Sequence, residues 1–305
     1  MTVKRNFFVI INPVSGNGHG KRVWQKIQPK LNLYYNITFC FTSHQNHEID
    51  ITHEALKNGH KHFIIIGGDG TLNNFINGVF SQQNIDTKSI TFGIIPIGTG
   101  NDWVKTHGIS KNINKALDII INNKTNTQDV GCINYLNKNI QNKYFINLAG
   151  IGFDGLVVNI VNKNRTFGKL TYILGAVKGL FKYHFFETRI SLNSEVITSK
   201  ACFMIQIGIC KYTGSGMQLT HLANPKDGLF DITIATSFYK WDIIKNIFKL
   251  FNGKIVKLKH VKTFKTKRLV IETSNKNTYF QADGEQIYSG KIEAFILPNA
   301  IQFYS

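Results

Sequence analysis

Acidic residues are scarce in this chain of 305 residues. Only 18 Asp and Glu stand against 36 Lys and Arg, which gives a formal net charge of +18 at pH 7. A balance this basic predicts an anionic partner: a nucleic acid, an anionic membrane surface or a phosphorylated substrate. The lysines are spread over both halves of the chain, without a helix-turn-helix, RNA-recognition or zinc-finger pattern. We therefore expect no nucleic-acid partner.

Cysteines are also few, and they are scattered. Cys40, Cys132, Cys202 and Cys210 form neither a Cys-x-x-Cys pair nor a ligand set interleaved with histidines. Their mostly apolar neighbours predict reduced, structural thiols and a cytoplasmic protein.

Two kinds of hydrophobic segment are missing. The N-terminus runs directly into the strand-like stretch 7–11, which is too short for a signal peptide. No uninterrupted apolar run approaches the roughly 18 residues of a membrane span. We expect any membrane contact to be peripheral, from the surface.

Glycine-rich loops between a strand and a helix are the most informative feature that is present. The apolar run 63–66 predicts a buried strand, and the apolar spacing over 72–80 predicts a helix. Gly67-Gly68-Asp69-Gly70-Thr71 connects them. Glycines let a ligand approach the main chain, and the helix offers unpaired N–H groups, so this loop is suited to hold phosphate. The alternative is an ordinary turn with Asp69 as the helix N-cap.

Two similar loops lie on either side of it. The strand 7–11 runs into Asn12-Pro13-Val14-Ser15-Gly16, and the strand 91–96 runs into Gly98-Thr99-Gly100-Asn101-Asp102. The first is not a Walker loop, because Gly16 is followed five residues later by Lys21 and no Ser or Thr follows that lysine. Alternating strands and helices to about residue 128 predict a doubly wound parallel sheet, with the three loops converging at its carboxyl edge.

The pattern changes after residue 129. Short alternating segments separated by turns predict a second, mainly antiparallel domain. We expect an α/β domain over 1–129 and a mainly β domain over 130–305, whose last strand can return toward the first domain. Two stretches, 163–183 and 239–254, mix large apolar residues with lysines at helical spacing. Each is either a helix packed on the sheet or a helix that lies on a membrane surface.

The three loops, in this order and spacing, resemble the catalytic domain of the diacylglycerol kinase family, which includes bacterial soluble lipid kinases and sphingosine kinases. The motifs at 147–154, 222–231 and 281–285 extend the likeness over nearly the entire chain. The resemblance implies a phosphofructokinase-like or NAD-kinase-like doubly wound domain followed by an antiparallel β-sandwich domain. It also implies an ATP-dependent phosphotransferase acting on a neutral lipid such as diacylglycerol at the inner membrane face.

The functional residues of that family carry over position by position. Its nucleotide contacts fall on Asn12, Pro13, Val14, Ser15, Gly16, Thr42, Gly68, Asp69, Gly70, Thr71, Leu72, Asn73, Asn74 and Thr99. Its Mg²⁺ site, one carboxylate and two backbone carbonyls, falls on Asp227, Asn224 and Leu229. Its general base falls on Glu285.

Several of these residues also have an ordinary interpretation. Glu285 as a base is worth on the order of a hundred- to ten-thousand-fold in rate, but a turn glutamate can be merely solvated. Asp69 can act as the base or bind the catalytic Mg²⁺. Asp102 can be a helix cap, and Asp227 can close a type I turn.

Two other functions stay open. NAD kinases share the Gly-Gly-Asp-Gly element, although the late Lys-Asp-Gly-Leu and Asp-Gly-Glu elements fit lipid kinases better. The other possibility is a non-catalytic basic protein of the same fold that binds membrane or nucleic acid. The predicted partners are a neutral lipid and an anionic membrane surface, and a homodimer is compatible with this assignment.

Overall fold

The structure is a computed structural model that describes residues 4–82, 85–163, 183–237, 245–274 and 278–305, together with 179 and 242. The chain divides into two compact units. Unit 1 comprises Met1–Gln128 and Asn299–Ser305, and unit 2 comprises Asp129–Pro298. The chain therefore leaves unit 1 once and returns to it for seven residues.

Unit 1 is built on a parallel sheet. Its strands are β1 (Asn6–Ile11), β2 (Asn36–Phe41), β3 (His62–Gly67) and β4 (Thr91–Pro96), in the spatial order β2-β1-β3-β4. Strands β3 and β4 are buried almost throughout, as their continuous apolar runs predict for a sheet covered on both faces. A fifth strand, from residues near the end of the chain, pairs in parallel with β4 through Gln302 and Thr91.

Helices follow the strands of unit 1. They are α1 (Ser15–Gly18), α2 (Gly20–Tyr34), α3 (His47–Lys57), α4 (Asp69–Phe80), α5 (Asp102–Thr106) and α6 (Ile113–Asn122). The helix α2 shows why they pack on the sheet. Its buried residues Val23, Trp24, Ile27 and Leu31 recur at helical spacing, so they form one apolar face.

Unit 2 is antiparallel in the pairings between its own strands, in agreement with the predicted β-sandwich. Most of its strands follow the order β14-β13-β7-β9-β8-β12-β15, with β10 paired to β9 and β11, and β5 paired to β6. The strands are β5 (Thr125–Tyr135), β6 (Lys143–Phe145), β7 (Leu148–Gly152), β8 (Phe186–Leu192), β9 (Glu195–Gly208), β10 (Phe230–Thr236), β11 (Val261–Thr266), β12 (Arg268–Thr273), β13 (Phe280–Ala282), β14 (Glu285–Ile287) and β15 (Ile292–Tyr304). The helix α7 (Phe153–Lys163) follows β7.

The strand β15 belongs to both units. Its first residues pair antiparallel with β12 in unit 2, for example Ile292 with Ile271. Its last residues are the strand that pairs with β4 in unit 1.

The helix predicted over 239–254 is not continuous in its described part: residues 242 and 245 are helical, but the α-helix does not extend beyond them. That part contains a 3-10 helix over Ile247–Leu250, and a second one begins at Lys254. Gly253 lies between them at φ 70°, a left-handed angle that ends a helix. The helix predicted over 163–183 lies almost wholly outside the described residues. In the part of the chain that is described, no helix is both long enough and apolar enough to cross a membrane.

Candidate active site

Three loops meet at the carboxyl ends of β1, β3 and β4 in unit 1, where the sequence predicts a ligand site. A Cβ atom added to Gly16 would lie 2.5 Å from the carbonyl oxygen of Ile97. One added to Gly98 would lie 2.6 Å from the Cα of Gly68. Contacts this close leave no room for a side chain, so the glycines are required for the loops to approach one another. The main chain of all three loops is thereby brought to one place.

Asn12 joins the first loop to the second. Its Nδ2 donates to Oγ1 of Thr71 at 3.0 Å, while its Oδ1 accepts from the backbone N–H groups of Val14 and Ser15, both at 3.2 Å. The side chain therefore shapes its own loop through one atom and holds the neighbouring loop through the other.

Glu48 on α3 completes this network, although no motif in the sequence indicates it. Its side chain is 3% exposed. Its Oε1 accepts from Nδ2 of Asn12 at 3.3 Å and its Oε2 accepts from Nδ2 of Asn74 at 3.1 Å. One carboxylate thus fixes the amides of two predicted nucleotide-binding residues. Nothing in the local sequence distinguishes Glu48 from a surface glutamate in the first turn of a helix.

Asp69 is not the N-cap of its own helix. The N-cap of α4 is Gly68, and Asp69 is the first residue of that helix. Its Oδ2 instead accepts from the backbone N–H of Asp102 at 3.0 Å and its Oδ1 from that of Trp103 at 3.2 Å. The carboxylate therefore binds the unpaired N–H groups of α5, where the helix dipole favours a negative charge.

The electrostatics of Asp69 reflect this position. Burial raises the pKa of the Asp69 carboxyl, while the N–H groups of Asp102 and Trp103 and the charge of Lys111 act in the opposite direction. The ammonium of Lys111 donates to the carbonyl oxygen of Gly100 at 3.1 Å. It places a positive charge beside the third loop, where it suits an anionic ligand. Lys111 lies nine residues beyond the loop motif, in a position that the motif does not indicate.

The remaining predicted nucleotide-binding residues divide by exposure. Thr42 lies beside the first loop, because its N–H donates to the carbonyl oxygen of Ile11 at 2.9 Å. Thr99 is exposed on the third loop. Leu72 and Asn73 have completely buried side chains, so only their main chain can face a ligand. Of the rest, Val14 and Gly70 are exposed, and Pro13, Ser15, Gly16, Gly68 and Asn74 are half-buried.

Glu285, the predicted base, lies in unit 2 at the start of β14. It follows a tight hairpin in which Asp283 and Gly284 have φ angles of 48° and 84°. The carboxylate of Asp283 accepts from the backbone N–H groups of Ile146, Asn147 and Leu148 at 2.8 to 2.9 Å. The hairpin is therefore anchored to β7, and Glu285 is half-buried at its end.

A lysine accompanies this hairpin. Burial lowers the pKa of the Lys143 ammonium, and the negative charges of Asp283 and Glu285 act in the opposite direction. Lys143 thus supplies a positive charge near the predicted base, in a position that the sequence motifs did not indicate.

The predicted Mg²⁺ residues form a turn of unit 2 that precedes β10. The backbone N–H of Asp227 donates to the carbonyl oxygen of Asn224 at 3.5 Å, and Oδ1 of Asp227 accepts from the N–H of Leu229 at 3.1 Å. Oδ2 of Asp227 accepts from Nζ of Lys265 at 2.7 Å. One carboxylate and two carbonyls suit a hard cation such as Mg²⁺. However, the ammonium of Lys265 competes for that carboxylate.

Acidic side chains elsewhere add little to this site. In the described part of the chain, no group of three or more His, Cys, Asp or Glu side chains is placed to hold a metal ion. Asp129 contributes a second carboxylate to the turn, because its Oδ2 accepts from the N–H of Gly228 at 2.8 Å.

Asp154 is a further buried carboxylate of unit 2, in the motif 147–154. It accepts a hydrogen bond from Nε2 of Gln281. Burial raises the pKa of Asp154 to about 6, although the side-chain hydrogen bond from Gln281 acts in the opposite direction. The group is therefore poised to change its charge close to neutral pH.

Two family models match the chain. The model described as "Diacylglycerol kinase catalytic domain" matches residues 6–133. The model described as "YegS C-terminal NAD kinase beta sandwich-like domain" matches residues 147–305. The two matches cover both units and all of the predicted site residues.

Individual proteins agree with the family models. A diacylglycerol kinase of Mycobacterium tuberculosis is 30% identical over 250 residues, covering 81% of this chain and 78% of that protein. The Bacillus subtilis protein YtlR, provisionally named a lipid kinase, is 29% identical over 92% of this chain and 93% of its own. A Bacillus anthracis crystal structure, provisionally assigned as a diacylglycerol kinase, aligns with a TM-score of 0.79 at 22% identity, over 100% of this chain and 98% of that chain. This last likeness shows a shared fold.

Proposed function

This chain belongs to the diacylglycerol kinase family, and from that premise we propose that it transfers the γ-phosphate of ATP to the hydroxyl of a neutral lipid such as diacylglycerol. The family assignment makes it a phosphotransferase with an alcohol group as acceptor. ATP as donor, the identity of the lipid, and action from the cytoplasm at the inner membrane face are our proposals.

The convergence of the three loops is the observation that carries the proposal. Phosphoryl transfer requires mainly that the phosphates be positioned and their charge be stabilised. Close contacts between Gly16 and Ile97, and between Gly68 and Gly98, bring backbone N–H groups together beside the N-terminus of α4. Such a helix end favours an anion through its N–H groups and its dipole. We infer that the phosphates of ATP bind here, with Lys111 nearby.

Transfer to the lipid hydroxyl also requires a base, and that base has to be held in a fixed position. The carboxylate of Glu285 takes the proton of the lipid hydroxyl as its oxygen attacks the γ-phosphorus, and the oxygen that linked the β- and γ-phosphates leaves with ADP. The hairpin held by Asp283 keeps Glu285 in place. Asp69 remains a second catalytic candidate, since each of its oxygens retains a lone pair beyond the bond to α5.

We assign Mg²⁺ to the turn formed by Asn224, Asp227 and Leu229. There Mg²⁺ supplies positive charge, with most of its coordination shell left to water. Lys265 forms an ion pair with the carboxylate of Asp227. This lysine would therefore have to move away when the cation binds.

Transfer of radiolabelled phosphate from ATP tests the proposal. The purified protein is incubated with a panel of lipid alcohols in mixed micelles, and in parallel with NAD. We expect label in one or more lipids and none in NAD. Label in NAD alone would identify an NAD kinase, and no transfer to any acceptor would overturn the proposal. In the same preparation, a salt titration of RNA binding on filters checks the non-catalytic alternative.

A further inference from the structure

One stretch of unit 2 concentrates the positive charge of the chain. Residues 243–271 contain eight lysines and one arginine, and no aspartate or glutamate. The three lysines at 249, 254 and 257 are half-exposed or exposed. Within the described residues none of these three forms an ion pair. Their charges are therefore available to an external partner.

Large apolar side chains are exposed among these lysines. Phe248 is 80% exposed, Leu222 is 59% exposed and Phe251 is 41% exposed. A single exposed apolar residue needs no explanation, but a group of them bordered by charge indicates a contact surface.

Two segments far apart in sequence form this surface together. The backbone N–H of Gln218 donates to the carbonyl oxygen of Leu250 at 2.6 Å, and its Nε2 donates to that of Phe251 at 2.8 Å. A Cβ added to Gly253 would lie 2.4 Å from the ring of His221, next to Leu222. The segments 218–222 and 247–254 are therefore in direct contact. We call Leu222, Phe248, Phe251, Lys249, Lys254 and Lys257 the basic-aromatic surface.

The electrostatic surroundings of His221 also indicate positive charge at this surface. Burial, together with the positive charges of Lys211 and Lys257, lowers the pKa of the His221 imidazole. Lys211 therefore adds a further positive charge beside the same two segments.

We propose that the basic-aromatic surface binds the anionic leaflet of a lipid bilayer, with Phe248 and Leu222 entering the headgroup boundary and the lysines meeting the anionic headgroups. The choice of a bilayer as partner is consistent with the proposed lipid kinase function, but the binding itself does not require catalysis. Exposed Phe and Leu beside Lys is the combination that interfacial segments use. Nucleic-acid binding would use the lysines and would leave Leu222 without a role.

Charge reversal with a matched control is the first test. Lys249, Lys254 and Lys257 are changed together to Glu, and in a second protein the exposed Lys26, Lys57 and Lys115 of unit 1 are changed to Glu. Both variants have the same net charge. Sedimentation with phosphatidylcholine vesicles, with and without phosphatidylglycerol, measures binding. Each lysine is worth about fivefold in partitioning to an anionic surface, so we expect the first variant to lose well over tenfold and the control much less.

Removal of the apolar side chains is the second test. Leu222→Gln with Phe248→Gln is compared with Leu33→Gln and Val196→Thr, which are 70% and 53% exposed elsewhere on the molecule. We expect only the first pair to weaken binding to phosphatidylglycerol vesicles, by about tenfold, with unchanged binding to RNA. In a Phe248→Trp variant, the added tryptophan should shift its emission to shorter wavelength when anionic vesicles are added.

Two outcomes would overturn the proposal. If both charge variants lose equal affinity, the whole molecular charge and not this surface drives binding. If the variant with Leu222→Gln and Phe248→Gln binds vesicles as wild type does, the surface binds polyanions through its charge alone. Activity on a short-chain diacylglycerol in neutral micelles separates this proposal from the kinase proposal: a surface variant should keep that activity and lose activity on anionic vesicles. A wild-type protein inactive in both assays contradicts only the kinase proposal.

Discussion

A buried carboxylate that accepts two amide hydrogen bonds fixes the direction of both amides, and Glu48 does this for Asn12 and Asn74. If the Asn12 amide were flipped, the backbone N–H groups of Val14 and Ser15 would lose Oδ1 as their acceptor. We therefore regard Glu48 as a positioning residue, one that acts on the proposed nucleotide-binding loops through other side chains.

Glu48→Gln tests this role. Glutamine offers one acceptor oxygen where two amide donors need one each, and a hydrogen bond to a charged group is worth about 1.5 to 3 kcal/mol. We expect the KM for ATP to rise by about tenfold or more, the KM for lipid to stay near wild type, and Glu48→Ala to be worse. Glu54→Gln, an exposed change on the same helix, is the control. Equal KM values for ATP in Glu48→Gln and wild type would refute the role.

Glu285 and Asp283 are two residues apart and have different predicted roles. Glu285→Gln should lower kcat by roughly a hundred- to ten-thousand-fold and leave the KM for ATP and the melting temperature unchanged. Asp283→Asn should instead lower the melting temperature, because three backbone N–H groups lose their charged acceptor. Steady-state kinetics and thermal unfolding of the two variants separate the roles. A Glu285→Gln enzyme with a tenth or more of wild-type kcat would rule out the base.

Asp154 should make the stability of the protein depend on pH. Its pKa is raised to about 6, above the value of 3.8 that an exposed aspartate has. A raised pKa in the folded state means that the stability contributed by the neutral form is fully present below about pH 4 and is lost as the pH rises through about 6. At about 1.4 kcal/mol per pKa unit, this loss is on the order of 3 kcal/mol.

Asp154→Asn should remove that dependence. Asparagine keeps an oxygen that can accept the hydrogen bond of Gln281 and has no charge to bury. Urea unfolding at several pH values should therefore show the variant gaining stability relative to wild type as the pH rises from about 4 to 7. Asp231, whose pKa burial also raises to about 6, is present in both proteins and cancels in the difference. Parallel curves would contradict the assignment.

At the scale of single elements, the turn before β10 is where the proposed Mg²⁺ would compete with Lys265 for the carboxylate of Asp227. Lys265 is 42% exposed and Asp227 is 23% exposed, so the ion pair between them is weak enough for a divalent cation to displace. We therefore expect the carboxylate of Asp227 to exchange Lys265 for Mg²⁺ when the cation is added.

Mg²⁺ titrations of the melting temperature, without nucleotide, test this competition. Lys265→Gln frees Oδ2 of Asp227. We therefore expect the Mg²⁺ concentration that gives half of the maximal shift in melting temperature to be about five- to tenfold lower than in wild type. Asp227→Ala should abolish the shift. If wild type and both variants respond alike, Mg²⁺ binds elsewhere.

The elements that the sequence predicts best are those with one dominant local signal. Continuous apolar runs identify β3 and β4, and glycine spacing identifies the loops after them. Local signals fail where the contact is distant in sequence. Glu48 meets Asn74 across 26 residues, and Asp69 meets Trp103 across 34. The helix expected over 239–254 is not continuous for another reason: its apolar spacing is helical, but Gly253 interrupts it and Gln218 binds the backbone carbonyls of Leu250 and Phe251.

For the molecule as a whole, the assignment of residues 299–305 to unit 1 has measurable effects. Phe303 is completely buried, with its ring centroid 4.9 Å from that of Trp103 and 4.5 Å from that of His107. Phe303→Ala should cost about 3 to 5 kcal/mol of stability. Trp103 is the second residue of α5, and its backbone N–H binds Asp69. Loss of the packing against Trp103 should therefore also weaken ATP binding. Thermal unfolding and ATP titration measure both, and Tyr288→Ala, which removes a 59% exposed ring in unit 2, is the control. Equal losses in the two variants would argue against the packing role.

The division of β15 between the two units also sets an order of events during synthesis. Domains emerge from the ribosome in sequence and generally fold as they appear. Here residues 1–128 emerge first, yet the strand that pairs with β4 arrives only after all of unit 2 has been translated. A nascent chain stalled before residue 299 would thus carry a complete second unit and an unfinished first one, with the edge of β4 open to solvent or to a chaperone. We therefore expect unit 1 to reach its final packing only after residues 299–305 have emerged.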